Sequence, residues 1–191
     1  MKKKKILREF LSEHTSFTND ELTLICSCIR VEHLRPNQYF IETGTKVCKL
    51  AFLVQGSMRA FLLNEKGVER TSYFILKNQF FTDIENFYKQ QSAMLNIQAS
   101  TKSTILVLTS DQIKMLSDKI PGFGYHIKHI SEMMFIEINK MKDILLFGKA
   151  IEQYELMCVR YPEIAHRVSN KHIASFLRIT DQSMSRIVNS K

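Results

Sequence analysis

The residues best placed to do chemistry lie near the end of the chain, in Val168-Ser-Asn-Lys-His-Ile-Ala-Ser-Phe-Leu-Arg-Ile-Thr-Asp-Gln-Ser-Met-Ser-Arg-Ile187. Gln182, Ser185 and Arg186 fall three and four apart, so on a helix they share one face beside Asp181. Glutamine can pair with adenine in two hydrogen bonds, arginine can take guanine in a bidentate fork, and serine can reach a base or a phosphate. Two short helices are needed to present that face. Ser169 is a candidate N-cap for the first and Thr180 for the second. Ile173 and Leu177 lie on one face of the first helix, Ile179 plugs the turn, and Met184 and Ile187 close the second helix on the first. Ala174 is small where the two cross. The spacing predicts a helix-turn-helix, whose second helix enters the DNA major groove. Arg178 stands in the turn where a small residue, often glycine, is usual, so it is expected to adopt positive φ at a cost of about 1 kcal/mol. The DNA-contacting residues expected are Ser169, Lys171, Thr180, Asp181, Gln182, Ser185 and Arg186.

The charge distribution agrees. The 191-residue chain carries a net charge of +8, with +4 in residues 1–10, +3 in residues 148–191 and only +1 between them. Basic ends attract phosphate without reading sequence, although the Lys2–Lys5 run alone reads as a solvated tail. With 45% hydrophobic and 24% charged residues the composition is that of an ordinary globular protein. No apolar run approaches the roughly 20 residues of a membrane span, and the basic start leads into the amphipathic Ile6-Leu-Arg-Glu-Phe10 rather than a secretory core. A cytoplasmic protein is expected, with no membrane partner.

Catalytic and metal chemistry find little material. Cys26 and Cys28 are separated by one residue, not the two to four of a zinc knuckle, and no second Cys/His pair lies at ligand spacing. Cys26, Cys28 and Cys48 fall within 23 residues, which keeps an iron–sulfur sensor as a lesser alternative to small buried thiols in a reducing compartment. The six histidines avoid the predicted central strands, and no Ser-His-Asp set, Cys-His pair or phosphate loop is present. No catalytic residue, metal ligand or cofactor is predicted, and the chain is not expected to be an enzyme.

The elements that must position the C-terminal pair follow in order. Residues 3–14 and 19–29 read as two helices, the second started by Ser16-Phe-Thr18 and Asn19-Asp-Glu21. From Val31 to Thr109 about eight short alternating runs, broken at Arg35-Pro36-Asn37, Thr43-Gly44-Thr45, Gln55-Gly56 and Asn64-Glu-Lys-Gly67, predict a small antiparallel barrel or jelly roll. Thr109-Ser110-Asp111 starts a short helix through Leu116, and Pro121-Gly122 ends it. One helix then runs from about 123 to 147 with Phe123, Ile127, Ile130, Met134, Ile138, Met141 and Leu145 as a continuous apolar stripe. Met133, Ile136, Ile144 and Phe147 widen it past one face, so the helix needs cover on two sides. Its own barrel supplies one side. A second copy of the chain is expected on the other, with Ile127, Ile130, Met134, Ile138, Met141 and Leu145 forming the seam. Gly148 marks a hinge, a helix spans 149–160, and Pro162-Glu-Ile-Ala165 is a one-turn spacer. After Asn189 the sequence runs only to Lys191, leaving little room for a wing.

This order resembles the Crp/Fnr family of bacterial transcription regulators over nearly the whole chain. The resemblance is carried by Tyr39-Phe-Ile-Glu-Thr-Gly44 and Phe52-Leu-Val-Gln-Gly56 in the barrel and by His172–Ile187, above all Ser185-Arg186-Ile187. It implies an α+β chain with an N-terminal antiparallel jelly roll of cyclic-nucleotide-binding type and helical lid (1–122), a dimerisation helix (123–147) and a helix-turn-helix domain (148–191). It implies base reading by Gln182 and Arg186. Asp181 takes a place often held by arginine, so the site read should differ from that of the best-known member. The phosphate-binding cassette of nucleotide-binding members has Gly-Glu at its start and an arginine followed by Ser or Thr. The corresponding positions here are Thr82, Asp83, Ala93 and Met94, a degenerate effector pocket. Without the arginine a cyclic phosphate loses its charge-assisted fork, and Asp83 adds repulsion, so cyclic AMP is not expected to bind tightly. Arg59 and Arg70, on barrel strands, read as solvent-facing. The expected function is a homodimeric, sequence-specific DNA-binding transcription regulator. Its partners are double-stranded DNA, a second copy, an unassigned small-molecule effector and, for a regulator, RNA polymerase. The alternatives are a sensor or interaction module whose helix-turn-helix has lost DNA affinity and, below it, a metal-dependent jelly-roll enzyme.

Overall fold

The computed structural model describes residues 2–146 and 148–189. Helices α1 (Lys2–His14) and α2 (Asn19–Cys28) come first. Thr18 and Glu21 form a reciprocal capping box at the start of α2, which fixes that start because two otherwise orphaned amide donors are satisfied at once. Eight strands follow among the described residues: β1 (Arg30–Leu34), β2 (Tyr39–Ile41), β3 (Lys49–Gln55), β4 (Met58–Leu63), β5 (Glu69–Ile75), β6 (Phe80–Phe81), β7 (Asn96–Ala99) and β8 (Ser103–Thr109), with α3 (Ile84–Lys89) between β6 and β7. They make two four-stranded antiparallel sheets, ordered β1-β8-β3-β6 and β2-β7-β4-β5. This is the expected jelly roll.

Ala51, Leu53, Phe81, Ile105 and Val107 from the first sheet meet Met58, Ala60, Tyr73, Ile75 and Ile97 from the second in the interior. The alternate residues Leu50, Phe52, Val54, Leu106 and Leu108 face outward. They are covered by Leu7 and Leu11 of α1, Leu22 and Ile25 of α2, and Leu116 of α4 (Ser110–Lys119). The N-terminal helices thus clothe the outer face of the first sheet. The near-continuous apolar runs of β3 and β8 are those of strands buried on both faces. Helix α4 extends three residues past the expected Leu116.

The long helix α5 (Phe123–Lys142) ends before the predicted 147 and tightens into a 3-10 turn, Asp143–Leu146, which carries Ile144 into full burial. Phe147, counted above among the apolar residues, lies outside the described residues. The predicted seam is corrected here. Ile130 and Met141 are only 3% and 2% exposed in the single chain, because that stripe is the face α5 lays on its own barrel; Ile127, Met134, Ile138 and Leu145 are half-buried with them. The outward face carries Tyr125, Phe135, Ile136 and Leu146, with Phe135 69% exposed. The apolar arc does span two sides, but the regular 3–4 stripe belongs to the inner one.

Gly148 has φ +40, and a Cβ there would run into the Glu152 carboxylate, which accepts a hydrogen bond from the Lys149 N–H at 2.8 Å. The turn into α6 (Ala150–Arg160) therefore needs a glycine. Helix α7 (Pro162–Arg167) begins with proline at its first turn, where no amide donor is missed. Helices α8 (Asn170–Leu177) and α9 (Asp181–Asn189) complete the chain.

Strand β5 is an edge of the second sheet, and its outward polar groups are taken by helices. The register skips Ser72 opposite Ala60 and Phe61, a bulge that turns both the Thr71 and Phe74 amides away from β4. Thr71 N–H donates to Ser175 Oγ at 3.0 Å, and the Ser175 hydroxyl donates to Glu69 O at 3.0 Å. Phe74 N–H donates to Met141 Sδ at 3.0 Å. The Phe74 and Phe176 rings lie 5.5 Å apart. An exposed edge is a template for unwanted pairing; here α5 and α8 close it. Ser175→Ala leaves a buried donor and acceptor unmatched and should lower stability by about 1–3 kcal/mol, read as a lower denaturant midpoint at unchanged slope; an unchanged midpoint would contradict this docking.

Candidate nucleic-acid interface and effector cassette

Helices α8 and α9 are held together as the sequence spacing requires. Ile173, Ala174, Phe176, Leu177 and Met184 are buried, Ala174 and Met184 completely. Ile179 and Ile187 pack against the same cluster. The turn between them places Arg178 at φ 59, ψ 33, the left-handed conformation expected of it. Thr180 Oγ1 accepts from the Ser183 N–H at 3.1 Å, capping α9. Ser169 occupies the N-cap position of α8, but its side chain makes no capping hydrogen bond, so that expectation holds for the backbone alone.

The face of α9 opposite Met184 is open. Asp181, Gln182, Ser185 and Arg186 are exposed, as are Thr180, Lys171 and Ser169 on the neighbouring elements. Lys171, Thr180 and Asp181 border a groove whose other wall is Gly67, Val68, Glu69 and Arg70 from the β4–β5 hairpin. Of the residues expected to touch DNA, Lys171, Thr180 and Asp181 line this groove, while Ser169, Gln182, Ser185 and Arg186 are exposed outside its lining.

Beneath that groove lies a polar junction that the sequence reading did not anticipate. Arg59, expected to face solvent, is 1% exposed. Its Nη2 pairs with Glu69 Oε2 at 2.6 Å and also donates to Gln98 Oε1 at 2.8 Å, while Nε donates to the same oxygen at 3.1 Å. The guanidinium lies 4.0 Å from the Phe61 ring centroid. Arg70 is exposed, as expected. Register explains the error: Arg59, Phe74 and Gln98 sit abreast on the outer face of the second sheet. Alternation made that face look solvated, but α8 covers it. The apolar neighbours Phe61 and Phe74 on that face were the available signal.

His172 of α8 faces this junction. Burial, the Arg59 charge and Lys171 depress its pKa to about 4, partly opposed by Glu69. The folded chain therefore holds fewer protons than the unfolded one between pH 4 and the ordinary imidazole value of 6.5. Stability from this group is complete above about pH 6.5 and is lost as pH falls toward 4.

The cassette positions come together in part. Thr82 and Asp83 are 3% and 4% exposed and Ala93 is 3% exposed. Thr82 Oγ1 donates to Lys49 O at 2.8 Å. Asp83 caps α3 and accepts from Asn86 N–H at 3.4 Å, Asn86 Nδ2 at 2.9 Å and Met94 N–H at 3.1 Å. Both carboxylate oxygens are thus engaged within the loop. Met94 is a correction: its amide is in the cassette, but its side chain is 71% exposed because the Asp83 bond turns the backbone inward and the thioether outward. Tyr73 enters the barrel interior near Asp83; burial first, and the Asp83 charge second, push its hydroxyl pKa up. A cyclic phosphate here would meet a carboxylate, a tyrosine and an alanine, with no cation among these positions.

A family model for the cyclic nucleotide-binding domain matches residues 31–119. The match runs from β1 through α4. Solved structures of transcription regulators share this fold over most of the chain. The chain superposes with a TM-score of 0.71 on CLP of Xanthomonas campestris, a cyclic-di-GMP-responsive global regulator, at 12% identity over 91% of each chain. FixK2 of Bradyrhizobium japonicum gives 0.67 at 13% identity, covering 85% of this chain and 83% of that one. TTHB099, a transcriptional regulator of the CRP family from Thermus thermophilus, gives 0.68 at 13% identity over 83% of each. No curated protein matches the chain. The Arg59–Glu69–His172 junction, formed where α8 meets the barrel, predicts a pH signature. The unfolding midpoint of the native chain should fall more steeply between pH 7 and pH 4.5 than that of His172→Asn; parallel profiles would show that His172 is not held neutral by the junction.

Proposed function

We propose that the chain is a homodimeric, sequence-specific DNA-binding transcription regulator that does not respond to cyclic AMP. The observation that carries this reading is the open face of α9, where Gln182, Ser185 and Arg186 stand exposed while Met184 anchors the helix from behind with no exposed surface. Such a face offers amide, hydroxyl and guanidinium groups on a rigid element, which major-groove readout requires. Crp/Fnr relatives with regulatory roles support it. Phosphates would be met by Lys171, Ser169 and Thr180 at the near ends of α8 and α9, positioning without specifying.

A second copy is the proposed cover for the outward face of α5. Tyr125, Phe135 and Ile136 are large and exposed on a 20-residue helix, Leu146 is exposed in the 3-10 turn that follows it, and Tyr88 of α3 lies beside Phe135 and Ile136. Pairing these helices would set two copies of α9 about 34 Å apart, the spacing of successive major grooves. The units proposed are residues 1–122 for effector sensing, 123–147 for pairing and 148–191 for DNA. The cassette geometry supports indifference to cyclic AMP, because Ala93 offers no charge to the phosphate.

Selection from a random double-stranded pool without added nucleotide should enrich an inverted repeat with half-sites about one helical turn apart. On that enriched DNA, Arg186→Ala should lose about 1–3 kcal/mol and relax preference at one base pair per half-site; an unchanged affinity would remove α9 from the interface. Phe135→Glu should halve the sedimenting mass, whereas an unchanged mass would place the dimer contact elsewhere.

A further inference from the structure

The groove between the β4–β5 hairpin and the α8–α9 pair carries two cations on facing walls, Arg70 on the hairpin and Lys171 on α8. Both are exposed, and neither makes an ion pair with another described residue. Two acids border the same groove. Glu69 is already paired with the buried Arg59 at 2.6 Å, and Asp181 stands in the first turn of α9. The side formed by His172 is electropositive as well. After burial, the Arg59 and Lys171 charges oppose protonation of His172, against a smaller pull from Glu69 than from Arg59. Arg59 Nη1 is buried with no hydrogen-bond partner among the described residues, so its charge is only partly answered from within.

The two walls are held at a fixed spacing. Ser175 of α8 bonds to Thr71 and to Glu69, each at 3.0 Å, the residues on either side of Arg70. At the hairpin tip Asn64 Oδ1 accepts from the Lys66 and Val68 N–H groups at 3.0 and 2.9 Å, which stiffens the loop leading to Arg70. The Arg70 backbone therefore keeps one position relative to α8. Thr180, which caps α9, borders the groove together with Asp181, so a DNA strand lying against the N-terminal end of α9 passes over it. We propose that Arg70 contacts a backbone phosphate of the duplex that α9 reads, facing Lys171 across the groove, so that the barrel hairpin is a second DNA-binding element. The inference rests on the regulator reading and adds to it a contact from outside the helix pair. Arginine suits the task because its planar guanidinium takes two phosphate oxygens at once. Such a contact positions the duplex without specifying a base.

The test measures affinity of the full chain for the enriched duplex and for a scrambled duplex across about 50 to 200 mM potassium chloride. Arg70→Ala should weaken both duplexes by the same factor, leave base preference unchanged and reduce the slope of log affinity against log salt by about 0.9 per bound protomer. Arg70→Lys, which keeps the charge, should keep the native slope. Lys77→Ala removes an exposed cation roughly 20 Å from Arg70 along β5 and should change neither affinity nor slope. An unchanged slope in Arg70→Ala, or an equal effect of Lys77→Ala, would overturn the proposal. Tighter binding by Arg70→Ala would also overturn it and make the hairpin an obstruction to DNA. Replacing chloride by inorganic phosphate at equal ionic strength should preserve the difference between the native chain and Arg70→Ala; its disappearance would assign the groove to free phosphate instead. Base-selective binding with an unaltered Arg70→Ala slope would sink this contact alone, whereas absence of DNA binding by the native chain would remove the regulator reading and this contact with it.

Discussion

The edge of β5 is the constraint on which the rest of the molecule depends. An edge strand must hide its unpaired amides and carbonyls or risk pairing with another chain. This chain hides them with side chains from two helices, Met141 of α5 on the Phe74 amide and Ser175 of α8 on Thr71 and Glu69. The bulge at Ser72 turns those amides outward together. The consequence is a single apolar cluster running from the barrel interior through Phe74 and Phe176 to Met184 on the inner side of α9. The position of α9 is set by its barrel, not by the α6–α7 connection alone.

Two faces of α5 divide the labour. The inner one is spent on the barrel, where Ile130, Met141 and the following Ile144 are buried. The outer one keeps Phe135, Ile136 and Tyr125 in water, an exposure that single soluble chains seldom leave unpartnered. The electrostatics divide similarly. The buried arginine of the barrel's second sheet is not in the cassette but beneath α8, where Arg59 is tied to Glu69 and Gln98. Removing Glu69 or Gln98 is costly because the buried Arg59 charge is left uncompensated, so the junction favours one docked arrangement over many.

Much of this was legible in the sequence because local chemistry decided it. Thr18 with Glu21 and Thr109 with Gln112 announce helix starts, and glycines at 44, 56 and 67 mark turns that need positive φ. The α8–α9 pair was legible down to the left-handed Arg178, since two crossing helices constrain apolar spacing tightly. Long-range contact hid the rest. Arg59 alternates with apolar residues as a solvent-facing strand residue would, and only a helix more than 100 residues later buries it. The stripe on α5 was visible, but periodicity cannot tell a barrel from a partner as its cover. Met94 was placed in the cassette by position, while its side-chain direction depends on the hydrogen bond its amide makes to Asp83.

Residue-resolved amide exchange on the isolated native chain tests the central claim, that α5 and α8 close the β5 edge. The account predicts that Thr71 and Phe74 exchange as slowly as amides of the central strand β4, because both are hydrogen-bonded and buried beneath helices. Exchange at these two positions as fast as at the hairpin tip residue Lys66 would mean an open edge, and the placement of α9 by its barrel would fall with it.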